Sequence, residues 1–276
     1  MDSKIKSFIK KTLSKSSLEI LSSIYNRKSN PFSLKSNFIF NVNISDFFVW
    51  NPYVARTDFI AENIRALFTG QKEEVIHCFK FFSDKGDFLS EEKYKSDDFF
   101  SKITLSGPQK SCIYSSFIHY VEAKRGFYDL VKIHFKKNNL FCEQNRGYCI
   151  YYPKKNSLVG SSVHGNFGGI SRKGMNLLAR KRSFHLYTPA YRFESQNSYD
   201  LVFNNPTPAR ITIQIMLDNN LDTSPIIQIN SLGTKSFRLN NFSGSITFRS
   251  KLPICRPILF KNVDKLDSGN FDVLHS

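Results

Sequence analysis

The residues best equipped for chemistry lie in one stretch, "SSVHGNFGGISRKGMNLLARKR", from Ser161 to Arg182. It gathers four glycines, His164 and the cations Arg172, Lys173, Arg180, Lys181 and Arg182. A glycine-rich loop leading into a short helix can turn backbone N–H groups and guanidinium forks toward a phosphate or carboxylate. Those five cations are therefore the candidate anion-binding residues. The spacing matches neither GxxxxGK[ST] nor GxGxxG, so an ordinary interdomain connection is the simpler account of the segment. If the chain is an enzyme, His164 is the candidate base, with Arg172 and Glu62 as partners across a domain interface.

Elsewhere the reactive residues are scattered. His77, His119 and His134 sit in strand-like runs where buried, hydrogen-bonded histidines are expected, and no HxH or HExxH spacing occurs. His77 and Cys78 are adjacent in a strand, so their side chains point to opposite faces and do not form a dyad. The five cysteines lack CxxC spacing, unlike a disulfide framework or a structural zinc site. Neither a metal nor a cofactor is expected, and a reducing, cytoplasmic setting fits this cysteine usage.

The clearest physical signal is the N-terminal segment "MDSKIKSFIKKTLSKSSLEILSSIY". At 100° per residue, Ile5, Phe8, Ile9, Leu13, Ile20 and Ile24 fall on one side; Lys4, Lys11 and Lys15 fall opposite, with Lys6 and Lys10 at the boundary. Such an amphipathic helix can lie in a membrane interface, each lysine gaining about 1 kcal/mol near an anionic leaflet. The competing reading is a helix packed on the body. Similar basic leaders precede many bacterial enzymes of surface-glycan assembly, a resemblance that points toward the cell envelope without naming a family.

Charge supports a special role for these two stretches. The 276 residues carry a net charge of +16, which calls for an acidic partner. Residues 1–35 hold eight Lys/Arg against Asp2 and Glu19, and residues 171–182 hold five with no acid, so together they supply eleven of the sixteen net charges. The rest is close to an ordinary folded body. Its 41% hydrophobic content, with 27 Phe and 12 Tyr, is enough to fill a core. No run reaches the ~18–20 apolar residues of a membrane-spanning helix, and the N-terminus lacks signal-peptide form.

The elements that must position any site read as strands. Ile211, Ile213, Ile215 and Leu217 alternate with Thr212, Gln214 and Met216, and the alternation resumes through Phe237, Leu239, Ile246, Phe248, Ile258 and Phe260 between short turns. "FIAENIRALF", from Phe59 to Phe68, reads as the main helical interruption. The chain also repeats itself. "VIHCFKFF" overlies "ITIQIMLD", "FVWNPY" overlies "HLYTPAY", "KITLSGPQKS" overlies "IQINSLGTKS" and "LVKIHFK" overlies "CRPILFK", in the same order. A period this long indicates two domains rather than a solenoid.

The expected fold is mainly β: two tandem related antiparallel β-sandwich domains, a diverged internal repeat, preceded by an amphipathic helix. The expected boundaries are 1–36, 37–155 and 156–276. The expected function is a non-catalytic, cytoplasmic-side peripheral protein at an anionic membrane surface, binding an acidic or glycan ligand or a protein between its domains. Alternatives are an enzyme acting on a sugar or carboxylated substrate, and a nucleic-acid binder stacking bases on Phe81, Phe82, Tyr114 or Phe248.

Overall fold

A computed structural model describes residues 44–63, 66–67, 70, 72, 74–108, 113–122, 147–154, 159–165, 184–206, 210–218, 224–251, 256–263 and 271–275. The N-terminal helix and residues 166–183, with Arg172, Lys173, Arg180, Lys181 and Arg182, lie outside them.

Sixteen strands carry the described fold. The first eight are β1 (Ile44–Trp50), β2 (Arg56–Glu62), β3 (Val75–Phe82), β4 (Phe88–Ser96), β5 (Phe100–Leu105), β6 (Ser115–Glu122), β7 (Gly147–Tyr152) and β8 (Ser161–His164). The second eight are β9 (His185–Tyr187), β10 (Tyr199–Asn204), β11 (Ile211–Leu217), β12 (Ile226–Ile229), β13 (Thr234–Leu239), β14 (Ile246–Ser250), β15 (Ile258–Lys261) and β16 (Asp272–His275). They form four four-stranded sheets, every recorded pairing antiparallel.

The strand order repeats. The sheets of the first set run β1-β6-β3-β4 and β5-β2-β7-β8; those of the second run β9-β14-β11-β12 and β13-β10-β15-β16. Adding eight to each label of the first set gives the second. Two of the four overlaid sequence pairs obey this rule, since β1 and β9, and β3 and β11, hold the same places. The overlay of "KITLSGPQKS" on "IQINSLGTKS" slips by one strand, setting β5 against β12 when its counterpart is β13. Short strands with similar glycine turns invite such a slip. "LVKIHFK" lies outside the described residues, and the counterpart of β15 is β7.

The helix expected over 59–68 is corrected. Phe59 to Glu62 belong to β2, paired on both sides with β5 and β7. Two-sided ladder bonding outweighs the helical spacing of Ile60 and its neighbours. Among the described residues that follow, Ala66 and Leu67 are helical, and the Asn63 carboxamide oxygen accepts from the Ala66 N–H at 3.2 Å.

Aromatic rings fill the interior. Phe48, Phe59, Phe79, Phe81 and Phe117 pack at centroid separations of 5.0–6.3 Å. Such pairs contribute about 0.5–1.5 kcal/mol each beyond area burial. Phe81, Phe82, Tyr114 and Phe248 are all buried, so none is a platform for a nucleic-acid base.

The two sets meet directly. The side chain of Asn204 donates to the Phe48 carbonyl at 3.1 Å, Ser116 donates to the Leu232 carbonyl at 2.7 Å, and Tyr114 donates to Asp200 at 2.7 Å. Arg238 closes a two-pronged pair on the same Asp200 at 2.6 and 2.8 Å. At the turn between β3 and β4, Gly86 has φ +93°, and a Cβ there would stand 1.8 Å from the Ser231 carbonyl oxygen. Only glycine lets these two turns touch.

Candidate functional site

The β1–β2 connection is short and stiff because Asn51 and Pro52 follow directly on the strand end. The Asn51 carboxamide oxygen accepts from the Tyr53 N–H at 2.9 Å, an Asx turn that reverses the chain. This leaves the chain's one tryptophan, Trp50, at the lip of a cavity of about 380 Å3. The lining comes from Trp50 to Thr57, except Tyr53, and from Thr104 to Ser106 at the end of β5.

Two features hold the far wall. The backbone N–H groups of Ser106 and Gly107 donate to Glu92 at 3.1 and 2.6 Å. Gly107 has φ +70°, and a Cβ on it would lie 2.2 Å from the Trp50 indole, so the loop runs hard against that ring. Trp50 also meets Phe81 edge-on at 5.9 Å.

Two buried polar atoms lie behind this lining. Asn51 and Thr57 are 1% and 0% exposed, yet Asn51 Nδ2 and Thr57 Oγ1 have no hydrogen-bond partner. Leaving such a group unpaired costs about 1–3 kcal/mol, and folded proteins rarely tolerate it. Beside them Arg56 stacks 4.0 Å over the Tyr152 ring, its Nε 3.2 Å from Asp58 without the alignment of a hydrogen bond. Asp58 is buried, accepts from Thr104 at 2.8 Å and meets the Lys102 ammonium at 3.1 Å. The hydrogen bond to Asp58 raises Lys102 above the usual lysine range, keeping it charged. Arg56 and Lys102 thus flank one carboxylate, and of the three only Arg56 lines the cavity.

At the corresponding end of the second set, aromatic rings occupy the space. Tyr191, Phe193, Tyr199 and Phe242 pack at centroid separations of 4.9–6.0 Å, and Phe193 forms an isolated bridge with Gly244.

The residues singled out from sequence do not converge here. His164 ends β8, exposed, its ring 5.6 Å from Tyr148. The row Ile60, Tyr148, His164 crosses β2, β7 and β8, and Glu62 stands two residues beyond Ile60. Two strand spacings, roughly 10 Å, therefore separate His164 from the strand of Glu62. Arg172 lies outside the described residues. Tryptophan at a strand end before Asn-Pro was the signal for the cavity in the sequence, although "FVWNPY" reads there only as half of a repeat.

Two other clusters are structural in character. His77 and His119 are fully buried; Ser45 Oγ lies 2.6 Å from His119 Nδ1, and His119 Nε2 lies 3.1 Å from His77 Nδ1. Burial pulls His77 down to about 4 and His119 well below the usual histidine range, so both are neutral near pH 7. Cys78, Glu91 and Glu122 bring ligand-type atoms within 4.8 Å of one another. Lys93 already sits 2.9 Å from Glu122 and 3.9 Å from Glu91, Tyr120 donates to Glu91, and burial pushes the Cys78 thiol up to about 11. This is an ion-pair network over a protonated thiol.

No family model matches the chain, and no curated protein does. Among solved structures, a calcium-binding mutant of Bacteroides uniformis beta-glucuronidase 2 aligns with 83% of this chain at 8% identity and a TM-score of 0.15. The alignment spans 25% of that longer chain, and a likeness this slight carries no argument.

Proposed function

We propose that this chain is a binding module made of two related β-sandwich units, with its ligand seated in the Trp50–Ser106 cavity of the first. The repeated strand order supports the two units. On that order β8 goes with the first, so the boundary between them falls within residues 165–184 rather than at 155. The observation that carries the functional reading is the cavity itself, with Trp50 at its lip and Arg56 in its lining, in one unit, where the other unit packs four rings. A ligand seated there would cover the apolar lining and Trp50. Binding fits better than catalysis, because the cavity lining contains no histidine, cysteine or carboxylate to act as nucleophile or base.

In the same proposal, residues 1–36 hold the module on an anionic membrane surface at the cytoplasmic side through Lys4, Lys6, Lys10, Lys11 and Lys15, with Ile5, Phe8, Ile9 and Leu13 inserted. Among the described residues no helix is long and apolar enough to cross a bilayer.

Thermal unfolding of the full chain against pools of sugars, organic acids, amino acids and nucleotides tests the binding reading. At saturation one pool should raise Tm by several degrees, since ligand at about 100 times Kd adds about 2.7 kcal/mol. Asn51→Leu should abolish the rise. No shift with any pool, or a shift unchanged in N51L, would overturn it.

A further inference from the structure

We infer that the outward face of the β9-β14-β11-β12 sheet is a second surface through which the chain meets an anionic bilayer. It rests on the membrane reading above and adds a contact that residues 1–36 do not supply.

Strand alternation fixes which side chains this face presents. Ile211, Ile213 and Ile215 of β11 and Phe248 of β14 pack into the core, so Thr212, Gln214, Arg249 and Lys251 point outward. Cross-strand pairing then sets one row over all four strands: Leu186, Arg249, Gln214 and Ile226. At ~4.8 Å per strand the row is about 14 Å across. Its outer members are apolar and open, with Leu186 65% and Ile226 62% exposed. Phe184, just before β9 and also exposed, lies on the same side, because the Arg249 guanidinium sits 4.1 Å over its ring and the Lys251 ammonium 5.7 Å from it. Single exposed apolar side chains are ordinary; three at the two edges of one face, with cations between them, mark a contact surface.

Charge selects the partner. Arg210, Arg249 and Lys251 stand on this face, and β9, β11, β12 and β14 contain no Asp or Glu. Carboxamide oxygens steady the guanidinium groups without neutralising them: Arg249 donates to Gln214 at 3.3 Å, and Arg210 donates to Gln228 at 3.3 Å and to Asn230 at 3.2 Å. Asp218, directly after β11, is turned back onto the Ser245 N–H at 3.0 Å. An anionic bilayer answers both properties, its acyl boundary taking Leu186, Ile226 and Phe184 while its headgroups take the cations. A nucleic acid would need an open ring on which to stack its bases, whereas Arg249 already covers Phe184.

Co-sedimentation of the full chain with phosphatidylcholine vesicles, with and without phosphatidylserine, tests the inference. Arg249→Gln/Lys251→Gln should weaken partitioning onto the anionic vesicles by about tenfold or more, or about 1.4 kcal/mol. Leu186→Ser/Ile226→Ser should weaken it too, by a factor that persists at raised salt, whereas the effect of the charge variant shrinks as salt screens it. A Tm matching the parent's shows that each variant has lost a contact rather than its fold, and the two variants check each other. Replacing Lys4, Lys6, Lys10, Lys11 and Lys15 with Gln in the full chain leaves this face as the remaining contact: binding should fall yet still require phosphatidylserine, and adding R249Q/K251Q should then remove it.

Parental binding by both face variants, with the Lys4–Lys15 variant alone defective, would overturn this face and leave the membrane reading standing. Failure of the parent chain to bind either vesicle would overturn both. A loss in R249Q/K251Q seen with oligothymidylate and not with vesicles would overturn the bilayer as the partner of this face.

Discussion

Replacing Thr57 with valine should make the unliganded protein more stable. Thr57 is fully buried in the centre of β5-β2-β7-β8, and its hydroxyl has no partner. Valine keeps the shape and removes a group whose burial costs about 1–3 kcal/mol when unpaired. The expected gain is about 1 kcal/mol, the lower end of that range. For a chain of this size that is roughly 2–4 °C in Tm. The control is Thr247→Val: that buried hydroxyl shares a 2.8 Å hydrogen bond with Thr188, so the same substitution there should lower stability by about 1 kcal/mol. Urea and thermal unfolding followed by far-ultraviolet dichroism would read both. If T57V loses stability as T247V does, the hydroxyl is partnered in solution and the reasoning is refuted.

Three further outcomes follow from the geometry. His77 and His119 are neutral when folded and titrate near 6.5 when unfolded, so the unfolded chain binds more protons between about pH 6.5 and 4. Stability should therefore fall steadily as pH drops through that window, and a flat profile from His77→Phe/His119→Phe would identify the pair as the cause; a wild-type profile already flat would refute it. Gly107→Ala should cost about 1–2 kcal/mol through the left-handed backbone and should also shift Trp50 emission, because the new methyl meets the indole; unchanged emission would contradict the contact. Arg238→Met should cost about 2 kcal/mol in urea unfolding, less than for a fully buried pair because Arg238 is 45% exposed, with Asp200 left to Tyr114 alone; a loss below about 0.5 kcal/mol would mean the pair is only a surface contact.

The sequence made the β character legible because Ile211 to Leu217 alternates cleanly, and it hinted at the matching strand order wherever aromatic and β-branched residues mark strands in the same places, as in β1 with β9 and β3 with β11. Identity between copies is too low to align short strands one by one, which is why β5 was set against β12. The helix over 59–68 misled because Ile60 and its neighbours satisfy a helical period and a strand equally; pairing with β5 and β7, distant in sequence, decides. The cavity was not legible for a related reason. Trp50, Asn51 and Arg56 are close in sequence, but what makes a cavity of them is the wall supplied by Thr104 to Ser106. Glycine and cation clusters near His164 drew attention by composition, whereas His164 itself ends an edge strand.

Trp50 is the chain's one tryptophan, so tryptophan emission reports on that ring at the lip of the cavity. The most direct measurement is that emission, titrated with whichever ligand pool raises Tm. The account expects a saturable change whose midpoint matches the calorimetric Kd; a ligand that stabilises the protein while Trp50 emission stays constant would place the binding site elsewhere and contradict it.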